Sequence, residues 1–313
     1  MTSSAWMLLA SFLFSIMAVC VKLASDYYST AELVMYRGMI GMAIMFALAR
    51  MQGGTLRTAY RWQHAWRGLV GVISLWLWFY SFTKLPLATA VTLNYMAPIW
   101  LAGIVLTAGW WRGEKRFEWG TVAAIIMSFI GVTVLLRPAA IHADQWVGGL
   151  AALASGFISA FAYMQVRRLG QLGEPEYRVV FYFSLACLGA GFLAQLGGSY
   201  PINDQATVWH GHGGTGVMLL LVMSVSATAA QLAMTRAYRL GNMLINSNLQ
   251  YAGIVFSSIW GVLLWSDLLD WLGWLGIAII ISSGSAATFY NARATRRQSI
   301  PAAKPVSTPN REI

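Results

Sequence analysis

The sequence predicts an all-α polytopic membrane protein, with ten transmembrane helices arranged as two inverted five-helix repeats. Three observations predict this. Ten apolar segments follow one another along the chain. The basic residues between them crowd into alternate connections. The last five segments weakly repeat the pattern of the first five.

The segments are 4–24, 30–49, 67–83, 87–109, 119–136, 147–166, 178–197, 215–235, 243–264 and 271–290. Each is about 20 residues long, enough to cross roughly 30 Å of hydrocarbon at 1.5 Å per residue. The chain is 58% hydrophobic and only 10% charged, against about 25% charged in a soluble domain. Many of its tryptophans stand at segment ends, among them Trp6, Trp62, Trp66, Trp110, Trp111, Trp119, Trp146, Trp271 and Trp274. Amphipathic rings favour the headgroup layer at those places.

In chain order, the first segment lacks a basic leader and is long enough to span, so it reads as a retained helix rather than a signal peptide. The second carries Arg37 about seven residues in, roughly 10 Å deep. A charge there must be paired, wetted or turned inward. It could contact an anion or act as a gate, or it could pin the structure by reaching Glu32, a helix end or a lipid phosphate. In the third segment Trp76 and Tyr80 share one face by i,i+4 spacing. They could wall a cavity and stack on a flat or cationic substrate, or face lipid.

The fourth segment is polar where lipid requires apolarity, with Thr89, Thr92, Asn94 and Tyr95. Its Pro98 removes a helix hydrogen bond and frees the carbonyl of Asn94. The ninth is polar in the corresponding place, with Asn246, Ser247, Asn248, Gln250 and Tyr251. Such groups need partners or water within a bilayer. They make either a hydrogen-bonding substrate site, with helices four and nine crossing and Asn94 facing Asn248 or Gln250, or interhelical glue. Tyr163, Gln165 and Gln231 are further cavity candidates.

Basic residues mark cytoplasmic loops. With the N-terminus inside, 17 of the 21 Lys and Arg fall on inner loops and the tail and three on the outer side, with Arg37 inside a span. Both termini are therefore expected in the cytoplasm. The net charge of +10 lies in short loops and the tail, not on one folded face, which argues against nucleic acid. Cys20 and Cys187 both fall within spans, so neither a disulfide nor a metal site is expected.

The internal repeat aligns 11–22 with 155–166, matching Ser11 with Ser155, Ser15 with Ser159 and Ala18 with Ala162. Glu32 then falls on Glu176, and LNYMAPIW (93–100) on NLQYAGIV (248–255). Five spans per half is an odd number, so the second copy must be inverted. The expected units are 1–140, 141–292 and a disordered cytoplasmic tail, 293–313. Inverted repeats characterise secondary transporters, with the substrate held near the midplane between the repeats.

At Arg37 in MYRGMIGMAIM, at SFTKLPLATAVTLNYMAPIWLAGIVLTAG with the following turn Gly113-Glu114, and at Gly131 in FIGVTVLLRP, the chain resembles the EamA-type transporters of the drug/metabolite transporter superfamily. The resemblance extends over 4–290. Where that family usually repeats Pro and Glu in its second half, this chain has Gly253 and Asp267, leaving a second kink open. The resemblance implies ten helices around a central cavity, a bacterial inner-membrane location and transport of small metabolites.

The candidate substrate residues are thus Arg37, Trp76, Tyr80, Asn94, Tyr95, Tyr163, Gln231, Asn248, Gln250 and Tyr251. The expected partners are a small-molecule substrate and the lipid bilayer, and the expected assembly is a monomer or homodimer, without cofactors. Export of amino acid- or amine-like compounds is the first reading and uptake the second. A membrane-embedded enzyme is disfavoured because all four histidines lie outside the spans. Gly211-His-Gly-Gly-Thr-Gly216 fits GxGxxG but follows no strand. No Walker A sequence is present to couple ATP hydrolysis.

Overall fold

A computed structural model of the chain describes residues 2–111, 113, 119–136, 143–196, 211, 213–241, 243–266 and 270–298. The regular structure among them is entirely helical. The helices are α1 (Ser3–Ala24), α2 (Thr30–Met51), α3 (Arg61–Lys84), α4 (Leu87–Asn94), α5 (Ala97–Trp111), α6 (Trp119–Leu136), α7 (Ala143–Gln171), α8 (Glu176–Leu196), α9 (Gly214–Leu240), α10 (Met243–Leu249), α11 (Ala252–Trp265) and α12 (Trp271–Gln298). Among the described residues, six helical stretches, one of them α4 and α5 together, are long and apolar enough to cross a membrane.

Local chemistry sets the ends. Thr2 caps α1 by accepting from the Ala5 amide. Ser29 and Glu32 form a reciprocal capping box at α2, at 2.8 and 3.2 Å, which satisfies two amides that helix geometry would leave open. Glu32 therefore caps its own helix, while Arg37 donates to Cys187 Sγ. The turn between α7 and α8 passes through Gly173 at φ +83°, a left-handed conformation that favours glycine.

Two helices are broken. Between α4 and α5 the chain turns at Tyr95 and Met96, just before Pro98. A second break falls at Gln250 and Tyr251, between α10 and α11, without a proline. The helices extend beyond several expected spans. α3 starts at Arg61 rather than 67, and α12 runs to Gln298, past the expected boundary at 292. Glu114, Asp267 and the rest of the tail lie outside the described residues.

The halves interleave. α1 packs on α9, α2 on α8, α3 on α7 and α6 on α12, while α4 touches α11 and both α4 and α5 lie along α7. Small residues bring the backbones together, as is usual where lipid removes the hydrophobic drive between helices. A Cβ on Gly38 would lie 2.6 Å from the Ser184 carbonyl of α8, and one on Gly191 would lie 2.8 Å from the Ala31 carbonyl of α2. α7 likewise approaches the first break through Gly156, where a Cβ would stand 2.6 Å from the Asn94 carbonyl. The carbonyl freed by Pro98 is thus covered by a neighbouring helix.

Candidate functional site

The two breaks meet around a half-open cavity of about 50 Å³. α3 contributes Arg67, Gly71, Ser74, Leu75 and Trp78, and the breaks contribute Asn94, Tyr95 and Gln250. α7 supplies Ser159, Ala162 and Tyr163, α9 supplies Gln231 and Met234, and Phe14 and Phe183 close the wall. The free volume has room for a few waters only. A metabolite needs several hundred Å³, more than this cavity offers.

One side of the cavity is a serine and amide cluster. Asn94 Nδ2 donates to Ser155 Oγ at 2.6 Å, and Ser155 Oγ donates to the Ser74 carbonyl at 2.8 Å. Ser74 and Ser159 share a 2.6 Å hydroxyl contact. Gln250 Nε2 donates to the Tyr238 hydroxyl at 2.8 Å, while its buried Oε1 has no partner. The aromatic side comprises Trp78 and Tyr95, with ring centroids 6.1 Å apart, and Tyr163, 5.6 Å from Tyr238.

Of the residues singled out in the sequence, Asn94, Tyr95, Tyr163, Gln231 and Gln250 come together here. Trp76 and Tyr80 share a helix face as expected but are not among the lining residues; Trp78 is. Trp76 instead packs, half-buried, against the hydrophobic core. Arg37 is buried behind the wall, its guanidinium carbon 5.0 Å from the Phe183 centroid. Tyr251 is buried with an unpartnered hydroxyl, outside the lining. The side chain of Asn248 lies outside the described residues.

Arg67 is the residue that sequence reasoning missed. The apolar run from 67 puts Arg67 at its edge, but α3 begins a turn and a half earlier and carries it inside, 3% exposed. It lies 4.1 Å over the Phe183 ring and donates to Gln231 Oε1 at 3.4 Å. The nearby Gly71 is the available signal, since a Cβ there would overlap the Arg67 guanidinium.

At one end of the bundle, a buried polar clasp joins the connection before α3 to the α7–α8 turn. Glu174 accepts from Thr58 at 2.9 Å, pairs with Arg178 at 3.1 Å and bonds His64 Nε2 at 3.1 Å. Arg178 also donates to the Thr55 carbonyl, and Tyr182 to that of Leu56. Burial pushes the Glu174 carboxyl upward, but the hydrogen bonds from Thr58, His64 and Arg178 outweigh it and hold the group below the usual carboxylate range. Burial is also the main cause holding His64 below the ordinary imidazole value. A neutral ring donating from Nε2 leaves Nδ1 without a hydrogen, in keeping with its unpartnered state.

Residues 1–137 match the EamA-like transporter family. The chain is 29% identical over 273 residues to the pseudopaline exporter of Pseudomonas aeruginosa, an alignment covering 87% of this chain and 91% of that one. It is 26% identical over 306 residues to a riboflavin transporter of Vibrio cholerae, covering 94% and 95%. It is also 21% identical over 282 residues to an S-adenosylmethionine uptake transporter of Rickettsia felis, covering 90% of each. A solved crystal structure superposes with a TM-score of 0.67 at 22% identity, covering 95% of this chain and 99% of that one, so the fold is shared. The chain thus resembles the EamA-like transporter family over residues 1–137 and, along most of its length, proteins named as transporters.

Proposed function

We propose that this protein moves small metabolites across a bacterial inner membrane by alternating access, as a secondary transporter of ten spans in two inverted repeats, 1–140 and 141–292. The observation that carries the reading is the polar and aromatic cavity where the two broken helices meet. Irregular backbone at membrane depth is tolerated where it is buried in protein or lines a cavity, and broken helices at a repeat interface are where transporters build substrate sites.

Helix pairing supports the inverted repeat. Exchanging α1–α6 for α7–α12 in order turns the α1–α9 contact into α7–α3, and the α5–α7 contact into α11–α1. The α2–α8 and α6–α12 contacts map onto themselves, and the α4–α11 contact maps onto α10–α5, which is also present. A twofold axis requires this of its contacts. The 17:3 distribution of basic residues supports cytoplasmic termini. A reporter fused at Ile313 that becomes active only outside the cytoplasm should stay silent.

Export of amino acid- or amine-like compounds is the preferred direction and class. The amide, hydroxyl and ring lining of the cavity favours it, and one relative is named as an exporter. Uptake is the second reading, favoured by the relative named as an uptake transporter. Flux of labelled amino acids and amines through reconstituted vesicles, with and without a proton gradient, tests both. Absence of protein-dependent flux for every compound in either direction would count against transport of these classes.

A further inference from the structure

We propose that the substrate of this cavity carries an anionic oxygen group, a carboxylate first of all, and that Arg67 receives it. The inference rests on the transport reading and narrows it to amino acids and other carboxylates over simple amines.

Two guanidiniums stand at one ring. Arg37 and Arg67 lie 5.0 and 4.1 Å from the Phe183 centroid, and each is 3% exposed. Neither is paired with a carboxylate among the described residues. Arg37 has a thiol as its hydrogen-bond partner, and Arg67 a neutral amide at 3.4 Å. Two like charges this close repel one another, and the ring offsets only part of that.

An unpaired charge buried at membrane depth costs several kcal/mol. If Arg67 served packing alone, an apolar side chain of similar volume would serve with no such penalty. The fold instead makes room for it: Gly71 leaves open the space its guanidinium fills. Arg67 also lines the cavity, with Nε and Nη1 buried and bonded to nothing. Planar N–H donors on one cation match the two oxygens of a carboxylate. The free volume of about 50 Å³ admits a group of that size beside the guanidinium. The rest of the substrate would occupy space opened when the wall moves. Arg37 adds a second positive charge without reaching the cavity.

The test uses the full chain in phosphatidylcholine nanodiscs and matched probes: leucine against leucinamide, phenylalanine against phenylalaninamide, benzoate against benzamide. By calorimetric titration, at least one carboxylate should bind about tenfold or more tightly than its amide, the difference expected of a charge-assisted hydrogen bond. R67Q should bring that ratio close to one. R67K, which keeps the charge and loses the fork, should retain part of the preference and serves if R67Q does not fold. Equal binding of acid and amide, an undiminished preference in the variants, or no binding of any carboxylate would overturn the proposal.

Two further arms separate the outcomes. If the carboxylate binds but is not moved in reconstituted vesicles, the transport reading fails and the anion site stands. If acid and amide are moved alike, transport stands and the anion site fails. Replacing part of the lipid with phosphatidylglycerol should leave carboxylate binding unchanged; loss of binding would assign Arg67 to a lipid headgroup and overturn the proposal.

Discussion

The ring of Tyr95 rests on the bare Cα of Gly253. A Cβ at Gly253 would stand 2.9 Å from the Tyr95 hydroxyl oxygen and 3.0 Å from Cζ. Tyr95 belongs to the break after α4, and Gly253 opens α11 after the second break. The two interruptions are therefore packed directly against each other. The missing side chain of one makes space for the ring of the other.

Gly253→Ala should accordingly destabilise the protein by about 1–3 kcal/mol, the usual cost of overpacking a filled interior. The added methyl meets a rigid ring rather than a flexible chain end. The double variant G253A/Y95L should recover part of the loss in thermal melts of the solubilised protein. A single variant as stable as the parent would show that the ring steps aside freely.

Trp78→Ala should lower transport about tenfold or more, because the ring forms the cavity wall beside Tyr95. Trp76→Ala should stay within about twofold of the parent, since its ring packs outside the lining. Initial flux rates at matched protein levels distinguish the two. The reverse order would return the substrate face to Trp76 and Tyr80.

Ser155→Ala removes the acceptor for the Asn94 amide and a donor to the Ser74 carbonyl. Interhelical hydrogen bonds in membranes are worth about 0.6 kcal/mol on average and at most about 1.7, so a loss of about 1 kcal/mol is expected. A double-mutant cycle with Asn94→Ala should show coupling of that order. Strict additivity would mean that the bond contributes nothing measurable.

The Glu174 clasp sets a pH dependence. Both Glu174 and His64 lie below their ordinary values in the folded protein. Each therefore contributes stability that is fully present above its unfolded pKa and lost as pH falls through its folded one. Melting temperature should hold steady above pH 6.5, the ordinary histidine value. It should begin to fall below that value, and fall again once the pH passes below 4.5, the ordinary carboxylate value. His64→Gln should flatten the first decline. A melting temperature that rises on acidification would refute this account of the clasp.

Much of this arrangement is legible in the sequence. Pro98 and the polar runs around Asn94 and Gln250 mark where lipid-compatible helices would fail, and both places are breaks. Gly253 marks the second break less plainly, because glycine permits an interruption without requiring one. Arg67 was hidden because a charge at the edge of an apolar run can belong to the headgroup layer or the interior, a difference of less than two helical turns. The i,i+4 spacing correctly told which rings share a side of α3; it could not tell which side meets the cavity. The clasp joins His64 to Glu174, 110 positions apart, and such pairing leaves no local pattern.

The contacts of Gly38 and Gly191 have a mechanical consequence. Each glycine sets its helix against the main chain of the other, so α2 and α8 touch backbone to backbone at two points. Side chains can change rotamer and let helices slide, but two backbones in contact have no such slack. Sliding one past the other would drive Cα into carbonyl oxygen. This pair is the fixed post of the bundle. Any opening of the cavity has to come from elements turning about it, and a covalent cross-link placed along this seam should leave that motion free.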